Sequence, residues 1–261
     1  MNFKWGMCAF VCAVLFCGTT ARAATTTTIK YRNLEDSTLE DLGANGTGWG
    51  SCIVCAGGGS DNAAIATSPF QTTPSKDGAS RNFSISGDPY SNGLWWYKVG
   101  PNDAATTFTF DFWLYTDSST QAAQALEFDT FQFAGGYEYM FGAQCDYASG
   151  YWDLWNGGAQ KWARSKVQCK KFAANVWYHI TLAYHRTTKD NNLHYDTLTI
   201  VQYKPNGRTA SNNSYNLKTT YGSQLTPPTW GENLGVQFQM DIGSQGASMQ
   251  EWIDQVTLTA K

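Results

Sequence analysis

The fold of this 261-residue chain is decided by the stretch Ala125-Leu126-Glu127-Phe128-Asp129-Thr130-Phe131-Gln132. Side chains of a β-strand point alternately to its two faces. Leu126 and Phe128 therefore share one face, which is apolar enough to be buried. Glu127 and Asp129 share the opposite face and bring two carboxyl groups together. The alternation predicts a strand with one face in a core and a chemically distinctive second face.

The same two-faced alternation recurs in residues 107–115, 177–185 and 236–242. Short alternating runs broken by Gly, Asn, Asp, Ser and Pro are typical of β-sandwiches and jelly rolls. The sequence therefore predicts an all-β fold, a two-sheet antiparallel jelly-roll sandwich, with residues 24–261 as a single domain. The expected core residues on the apolar faces are Phe108, Phe110, Phe112, Leu114, Tyr178, Ile180, Leu182, Tyr184, Val236, Phe238, Met240 and Ile242.

Residues 1–23 have the three parts of a cleaved secretory signal peptide. Lys4 precedes an apolar run from Trp5 to Gly18, and Ala21-Arg22-Ala23 provides a small-x-small cleavage site. The apolar run is too short to span a bilayer, which takes ~20 residues. We therefore expect a secreted protein, periplasmic or extracellular, that does not insert into a membrane after cleavage.

The charge of the remaining chain disfavours two classes of partner. Removal of the signal peptide leaves 16 basic and 21 acidic residues, and no run rich in Lys or Arg. Nucleic acid and anionic lipid are bound through clustered positive charge. The sequence thus predicts no nucleic acid partner, and it leaves the oligomeric state open.

Four cysteines remain after cleavage, and an even number outside the cell indicates disulfides. Their spacing favours the pairs Cys52–Cys55 and Cys145–Cys169. The second pair closes a long loop and should stabilise the fold by ~3 kcal/mol. The first pair has the Cys-x-x-Cys spacing of zinc and redox sites, but flanking glycines and the absence of a helical pattern favour a structural disulfide.

The polar faces of the predicted strands carry an unusual mixture of aromatic rings, amides and carboxylates. Rings stack on sugar faces, while amides and acids hydrogen bond to hydroxyl groups, so this mixture suits a polysaccharide groove. The alternative is that these side chains lie under loops as additional core. The candidate binding residues are Trp113, Tyr115, Phe131, Gln132, Gln237, Gln239 and Asp241, next to Glu127 and Asp129.

A second candidate surface is the Trp-rich segment of residues 151–162, which lies between Cys145 and Cys169. Trp152 and Trp155 could form a sugar-stacking platform that the disulfide holds in place. The alternative is a hairpin whose Trp side chains close one end of the sandwich.

The Glu127 segment resembles the concanavalin A-like lectin and glucanase superfamily. Legume lectins have a very similar Glu-Phe-Asp-Thr strand that helps to hold manganese and calcium. Laminarinase-type glucanases have Glu-x-Asp-x-Glu, or a bulged form, as nucleophile, assisting Asp and acid/base. Residues 175–181 resemble a laminin-G-type strand, and residues 251–256 are also compatible with the superfamily. The resemblance implies the sandwich fold and a carbohydrate ligand.

Two departures from these motifs limit what the resemblance implies. The expected acid/base position holds Phe131 or, with a bulge, Gln132, and neither donates a proton. Glu138 and Asp241 are the remaining candidates for the acid/base, and they could reach the groove only from other strands. The Asn, Asp and His that complete the lectin metal site do not follow, so no metal is predicted at the pair; a structural calcium elsewhere stays open.

Three functions remain compatible with the sequence. The first is a secreted carbohydrate-binding protein without catalysis, which grips a polysaccharide in the groove. The second is a polysaccharide-cleaving enzyme, a glycoside hydrolase or lyase, with Glu127 as nucleophile or base and Asp129 assisting. The third is a surface adhesion or structural domain that binds protein and has a filled sheet face. Separately, the Glu127 and Asp129 carboxyl groups could be a buried pair with a structural partner such as Arg164 or Arg186. A second carboxyl group ~5–9 Å from Glu127 would favour the enzyme.

Overall fold

The computed structural model describes residues 27–41, 43, 46–55, 62–226 and 231–261. The predicted signal peptide, residues 1–23, lies outside the described residues. Within the described ranges, no helix has the length and apolar character needed to cross a membrane.

The described chain is built almost entirely from β-strands, because nearly every segment alternates apolar and polar residues. The strands are β1 (Ile29–Tyr31), β2 (Gly48–Ile53), β3 (Ala64–Gln71), β4 (Ser80–Gly87), β5 (Asn92–Gly100), β6 (Thr107–Thr116), β7 (Ala123–Ala134), β8 (Tyr137–Phe141), β9 (Ala143–Asp146), β10 (Tyr151–Asn156), β11 (Lys161–Gln168), β12 (Val176–Arg186), β13 (Asn192–Tyr203), β14 (Thr209–Gly222), β15 (Gln224–Leu225), β16 (Asn233–Ile242) and β17 (Ala247–Ala260). Short 3-10 turns lie at Leu34–Asp36, Ser118–Ala122 and Gly157–Ala159.

These strands form two antiparallel sheets. The back sheet has the order β14-β13-β12-β6-β17-β4-β3, with β1 paired to β17. The front sheet has the order β11-β10-β9-β7-β16-β5-β2, with β8 paired to β7 and β15 to β8. Some strands that are adjacent in a sheet, such as β7 and β16, are far apart in the sequence. The long connections between such strands are typical of a jelly roll. The predicted two-sheet antiparallel sandwich is confirmed.

The core lies between the two sheets and contains the apolar faces predicted from the alternation. All twelve expected core residues on β6, β12 and β16 are buried. Phe238 of β16 lies near the centre, with its ring centroid 5.4 Å from Phe110, 5.3 Å from Phe112 and 6.3 Å from Phe128. Full burial of a Phe side chain stabilises a fold by roughly 1.5–3 kcal/mol, so this cluster holds the two sheets together.

Both predicted cysteine pairs are joined as disulfides. The Cα atoms of Cys52 and Cys55 are 5.8 Å apart, and those of Cys145 and Cys169 are 5.4 Å apart. The first disulfide closes the turn after β2. The second links β9 to the segment that follows β11, and thereby anchors the edge of the front sheet.

Candidate functional site

A cavity of about 530 Å³ opens to solvent on the face of the front sheet that points away from the core. We call it the front cavity. Its floor is formed by β5, β7 and β16, and its walls by β8, β10, β11 and β15. The alternation of side chains along β7 explains why polar groups line the front cavity. Leu126 and Phe128 point into the core, whereas Glu127 and Asp129 point into the cavity. The adhesion hypothesis expects this face to be filled.

Two pairs of side chains cross the floor of the front cavity. The antiparallel register places Gln237 of β16 opposite Asp129 of β7, and Gln239 opposite Glu127. Gln237 Nε2 donates to Asp129 Oδ2 at 2.7 Å. Gln239 Nε2 donates to Glu127 Oε1 at 2.6 Å and to Asp241 Oδ1 at 2.9 Å. The five side chains that the sequence analysis grouped on these two strands therefore lie together.

Asp129 is held by a backbone donor as well as by Gln237. The Ala143 amide donates to Asp129 Oδ1 at 3.1 Å. Gly142 precedes this amide, and a Cβ atom there would lie 2.9 Å from the Trp155 Cβ and 3.4 Å from Asp129 Oδ1. Glycine is thus required for the close approach of the chain. Burial raises the pKa of Asp129 to about 7, although the Ala143 and Gln237 hydrogen bonds oppose the rise.

Glu127 and Asp241 are buried carboxyl groups in hydrogen-bond contact with each other. Burial, reinforced by the neighbouring Asp241 and Asp129 carboxyl groups, raises the pKa of Glu127 well above its ordinary value. Burial also raises the pKa of Asp241 to about 6, while hydrogen bonds from Gln239 and Glu127 oppose the rise. The direction of these pKa shifts favours Glu127 as the protonated member of the pair. At neutral pH the three neighbouring carboxyl groups carry fewer than three negative charges.

The catalytic alternative needs a second carboxyl group at a suitable distance from Glu127, and Glu138 does not supply it. Glu138 pairs in register with Phe133, six residues along β7 from Glu127. This offset corresponds to ~20 Å along the strand. Asp241 is instead in hydrogen-bond contact with Glu127, closer than the ~5 Å separation of retaining glycosidases.

One wall of the front cavity carries two Trp rings. Trp155 of β10 and Trp162 of β11 are directly opposite in register, with ring centroids 5.4 Å apart. Both are half-buried and line the cavity. Trp152 has the opposite orientation and packs in the core, 6.2 Å from the Phe128 ring. The proposed platform therefore contains Trp155 but not Trp152, because strand alternation separates the two.

Trp113 and Tyr115 do not belong to this surface, and their predicted place in one trough with Glu127 is wrong. Their strand, β6, lies in the back sheet. Trp113 stacks on His179 with centroids 4.8 Å apart, on the outer face of that sheet. Alternation shows which residues of a strand share a face, but it does not show which sheet the strand joins.

Phe131 and Gln132 also differ from the prediction. Phe131 lines a neighbouring cavity of about 370 Å³ beside Trp96 and the Cys52–Cys55 disulfide. The two cavities share Leu94, Met140 and Gln237 as lining residues, so they are contiguous. Gln132 points between the sheets, where its Nε2 donates to the Asn102 and Ala105 carbonyl oxygens at 2.6 and 3.0 Å. No β-bulge at Gln132 turns its side chain toward the front cavity.

The predicted arginine partners of the carboxyl pair are elsewhere. Arg164 lies 4.0 Å from Asp153, and Arg186 donates to the Asp103 and Ala105 carbonyl oxygens. The hypothesis of a structural Arg–carboxylate pair at Glu127 or Asp129 is therefore wrong.

Several lining residues were not singled out from the sequence as binding residues. Trp162 is the cross-strand neighbour of Trp155 and could have been found from a predicted β10–β11 hairpin. Gln224 donates to Glu138 at 2.7 Å, a contact between residues 86 positions apart that no local pattern indicates. The others are Tyr90, Asn92, Leu94, Gln124, Met140, Gly142 and Gln144.

One group of three acids in the described residues has the geometry of a possible metal site, and it lies away from the front cavity. Glu35, Asp77 and Asp254 each place a carboxylate oxygen within 4.8 Å of the others. Asp254 is fully buried, and its Oδ1 has no hydrogen-bond partner. Such a set of oxygen donors fits calcium, with water or backbone oxygens completing the 6–8 ligands.

Comparison with known proteins gives matches among solved structures only. No family model matches the chain. No curated protein matches it either.

Three solved structures illustrate these matches. Arcelin-5, a lectin-like defense protein from Phaseolus vulgaris, is 9% identical over 90% of this chain and 99% of its own, with a TM-score of 0.45. An alginate lyase from Aplysia kurodai is 9% identical over 74% of this chain and 86% of its own, with a TM-score of 0.46. A carbohydrate-binding module from Clostridium thermocellum, in complex with a mixed-linked tetrasaccharide, is 13% identical over 90% of this chain and 96% of its own, with a TM-score of 0.38.

Proposed function

We propose that this protein is exported and binds polysaccharide in the front cavity without cleaving it. The observation that carries the proposal is the combination of two amide–carboxyl pairs on the floor with a Trp wall beside them. Gln237 and Gln239 hold the carboxyl groups in fixed orientations, and all of these side chains line the cavity. Trp155 and Trp162 offer flat apolar surfaces to sugar rings.

The size of the site agrees with an oligosaccharide ligand. Binding sites for small molecules typically have volumes of ~300–1,000 Å³, and the front cavity has about 530 Å³. The contiguous cavity beside Phe131 and Trp96 adds about 370 Å³. Together they offer a path for several consecutive sugar residues of one chain.

The arrangement of the acids favours binding over hydrolysis. A retaining glycosidase separates its two carboxyl groups by ~5 Å, and an inverting one by ~6.5–9.5 Å across the scissile bond. Asp241 contacts Glu127 directly, and Glu138 lies on β8, opposite Phe133 and six residues along β7 from Glu127. The position that would supply the acid/base in a laminarinase-type motif is occupied by Phe131.

The test is a glycan array combined with a reducing-end assay on the same purified protein. We expect binding without product. Trp155→Ala should lower affinity about tenfold, since loss of a stacking ring costs ~1.4 kcal/mol. Trp113→Ala is the matched control, because it removes a half-buried Trp from the outer face of the back sheet and should leave affinity unchanged. Equal affinities for the two variants would refute the assignment of the front cavity.

A polysaccharide-cleaving enzyme is the second candidate, and one observation favours it. Glu127 and Asp129 both have raised pKa values in an open cavity, which is frequent among catalytic acids and bases. Release of reducing ends or of unsaturated lyase products, abolished by Glu127→Gln, would establish this candidate in place of simple binding.

A further inference from the structure

We infer that the front cavity selects glycans by charge, accepting chains that carry free amino groups and rejecting chains of sugar acids. The inference rests on the proposed glycan-binding function and specifies the class of ligand. It starts from the charge of the residues that line the cavity. Four of them are acids, namely Glu127, Asp129, Glu138 and Asp241, and none of the described lining residues is Lys, Arg or His.

The nearest described cations do not neutralise these acids. Lys98 lines only the neighbouring cavity, and its Nζ is engaged by Asp41 at 2.8 Å. Arg164 is mostly exposed, and its nearest acid is Asp153 at 4.0 Å. The side chains that contact Glu127, Asp129 and Asp241 on the floor are amides and carboxyl groups, and none of the described ones is a cation. The negative charge that remains on this group is therefore not compensated by a cation, and solvent screens it weakly because the group is buried.

A ligand carboxylate would meet like charges in this environment. Sugar acids in a polyuronate carry one carboxylate per residue, so each additional residue in the cavity would add repulsion and lose hydration. A neutral sugar avoids the repulsion and can donate hydroxyl hydrogen bonds to the carboxyl oxygens.

A sugar ammonium group gains most from the same arrangement. Three carboxyl groups, those of Glu127, Asp129 and Asp241, converge where β7 and β16 pair, and no described cation lines the cavity beside them. An ammonium group placed there supplies positive charge and up to three N–H donors, so it can bridge these carboxyl groups and relieve their mutual repulsion.

The experiment compares three oligosaccharides of equal length by calorimetry at one pH and low salt: a glucosamine hexamer, its N-acetylated counterpart and a galacturonate hexamer. Acetylation removes the charge while it keeps the sugar and the linkage. We expect the amino hexamer to bind at least tenfold more tightly than the acetylated one, and the galacturonate hexamer not to bind measurably. An acetylated hexamer that binds as tightly as the amino form, or any specific galacturonate binding, would overturn the inference.

Variants distinguish the effect of the cavity acids on glycan preference from the effect of the negative charge of the whole protein. Asp129→Asn should reduce the preference for the amino hexamer over the acetylated hexamer about tenfold. Asp241→Asn serves as a second variant if the first is unstable. Asp196→Asn removes one negative charge from the back sheet and should change nothing. Equal effects of Asp129→Asn and Asp196→Asn would refute a local origin.

If the proposed glycan binding itself is wrong, the same experiments give a different set of results. If none of the three hexamers binds and the glycan array is also blank, the proposed glycan binding is wrong. If neutral glycans bind and Trp155→Ala weakens them, while the charge preference is absent, only the charge selection is wrong.

Discussion

The most informative residues of this protein are buried acids. Asp129 and Glu127 are buried but retain amide partners, and they line a cavity in which a ligand can complete their hydrogen bonds. Glu251 differs, because it is fully buried and neither of its carboxyl oxygens has a hydrogen-bond partner. The first two acids can serve binding, whereas Glu251 affects only stability.

Glu251 should make the protein less stable as pH rises. Burial raises its pKa to about 8 in the folded state, whereas the unfolded chain titrates near 4.5. Between these values the folded state keeps a proton that the unfolded state has lost, so stability falls as pH rises through this range. Above about pH 8 both states are deprotonated and the loss is complete.

Glu251→Gln should make the decrease of the unfolding free energy with rising pH less steep by roughly 1.4 kcal/mol per pH unit, the value for one linked proton. Urea denaturation between pH 5 and 8 measures the slope for both proteins. Glu40→Gln, which removes an exposed carboxyl group, is the control and should leave the slope unchanged. Parallel slopes for Glu251→Gln and the unmodified protein would contradict the prediction.

Among the elements, β7 has the largest role in the site, and its neighbours decide what the site contains. Pairing with β16 places Gln237 and Gln239 beside its carboxyl groups. Pairing with β9 aims the Ala143 amide at Asp129. The faces of β7 were predictable from alternation, but its neighbours were not, since β16 begins about 100 residues later in the chain.

The Cys145–Cys169 disulfide should stabilise the fold more than Cys52–Cys55, because it closes a longer loop. The sequence separations are 24 and 3 residues. Replacing both cysteines by Ala should cost ~3 kcal/mol for the long loop and ~2 kcal/mol or less for the short one on the chain-entropy account. Denaturant midpoints of the two double variants provide the comparison, and equal losses would show that loop length is not the controlling factor.

At the scale of the whole molecule, the Glu35, Asp77 and Asp254 cluster joins three distant parts of the chain. Glu35 belongs to a 3-10 turn near the start of the described chain, Asp77 follows β3, and Asp254 belongs to the last strand. A cation held there would link these segments in the folded state and have no comparable site in the unfolded chain. Binding would therefore raise stability.

We expect calcium to raise the melting temperature and a chelator to reverse the effect. At a calcium concentration 100 times the dissociation constant, the gain in stability is ~2.7 kcal/mol. Asp254→Asn should abolish the calcium-dependent shift, whereas Asp196→Asn on the back sheet should retain it. Differential scanning calorimetry with and without calcium is the measurement, and identical curves for the unmodified protein would rule out a calcium site.

The sequence alone was sufficient for the properties that depend on neighbouring residues. Alternation along β7 and β16 separated Phe128 and Phe238 from Glu127 and Gln239, and cysteine spacing identified both disulfides. It was not sufficient for Trp113 and Tyr115, which have a suitable face but lie in the back sheet.

Only the tertiary structure decided which strands are adjacent, and hence which side chains meet in the front cavity. The physical reason is that alternation results from the geometry of a single strand, whereas pairing between distant strands results from the packing of the whole core. Asp241 meets Glu127 for this second reason.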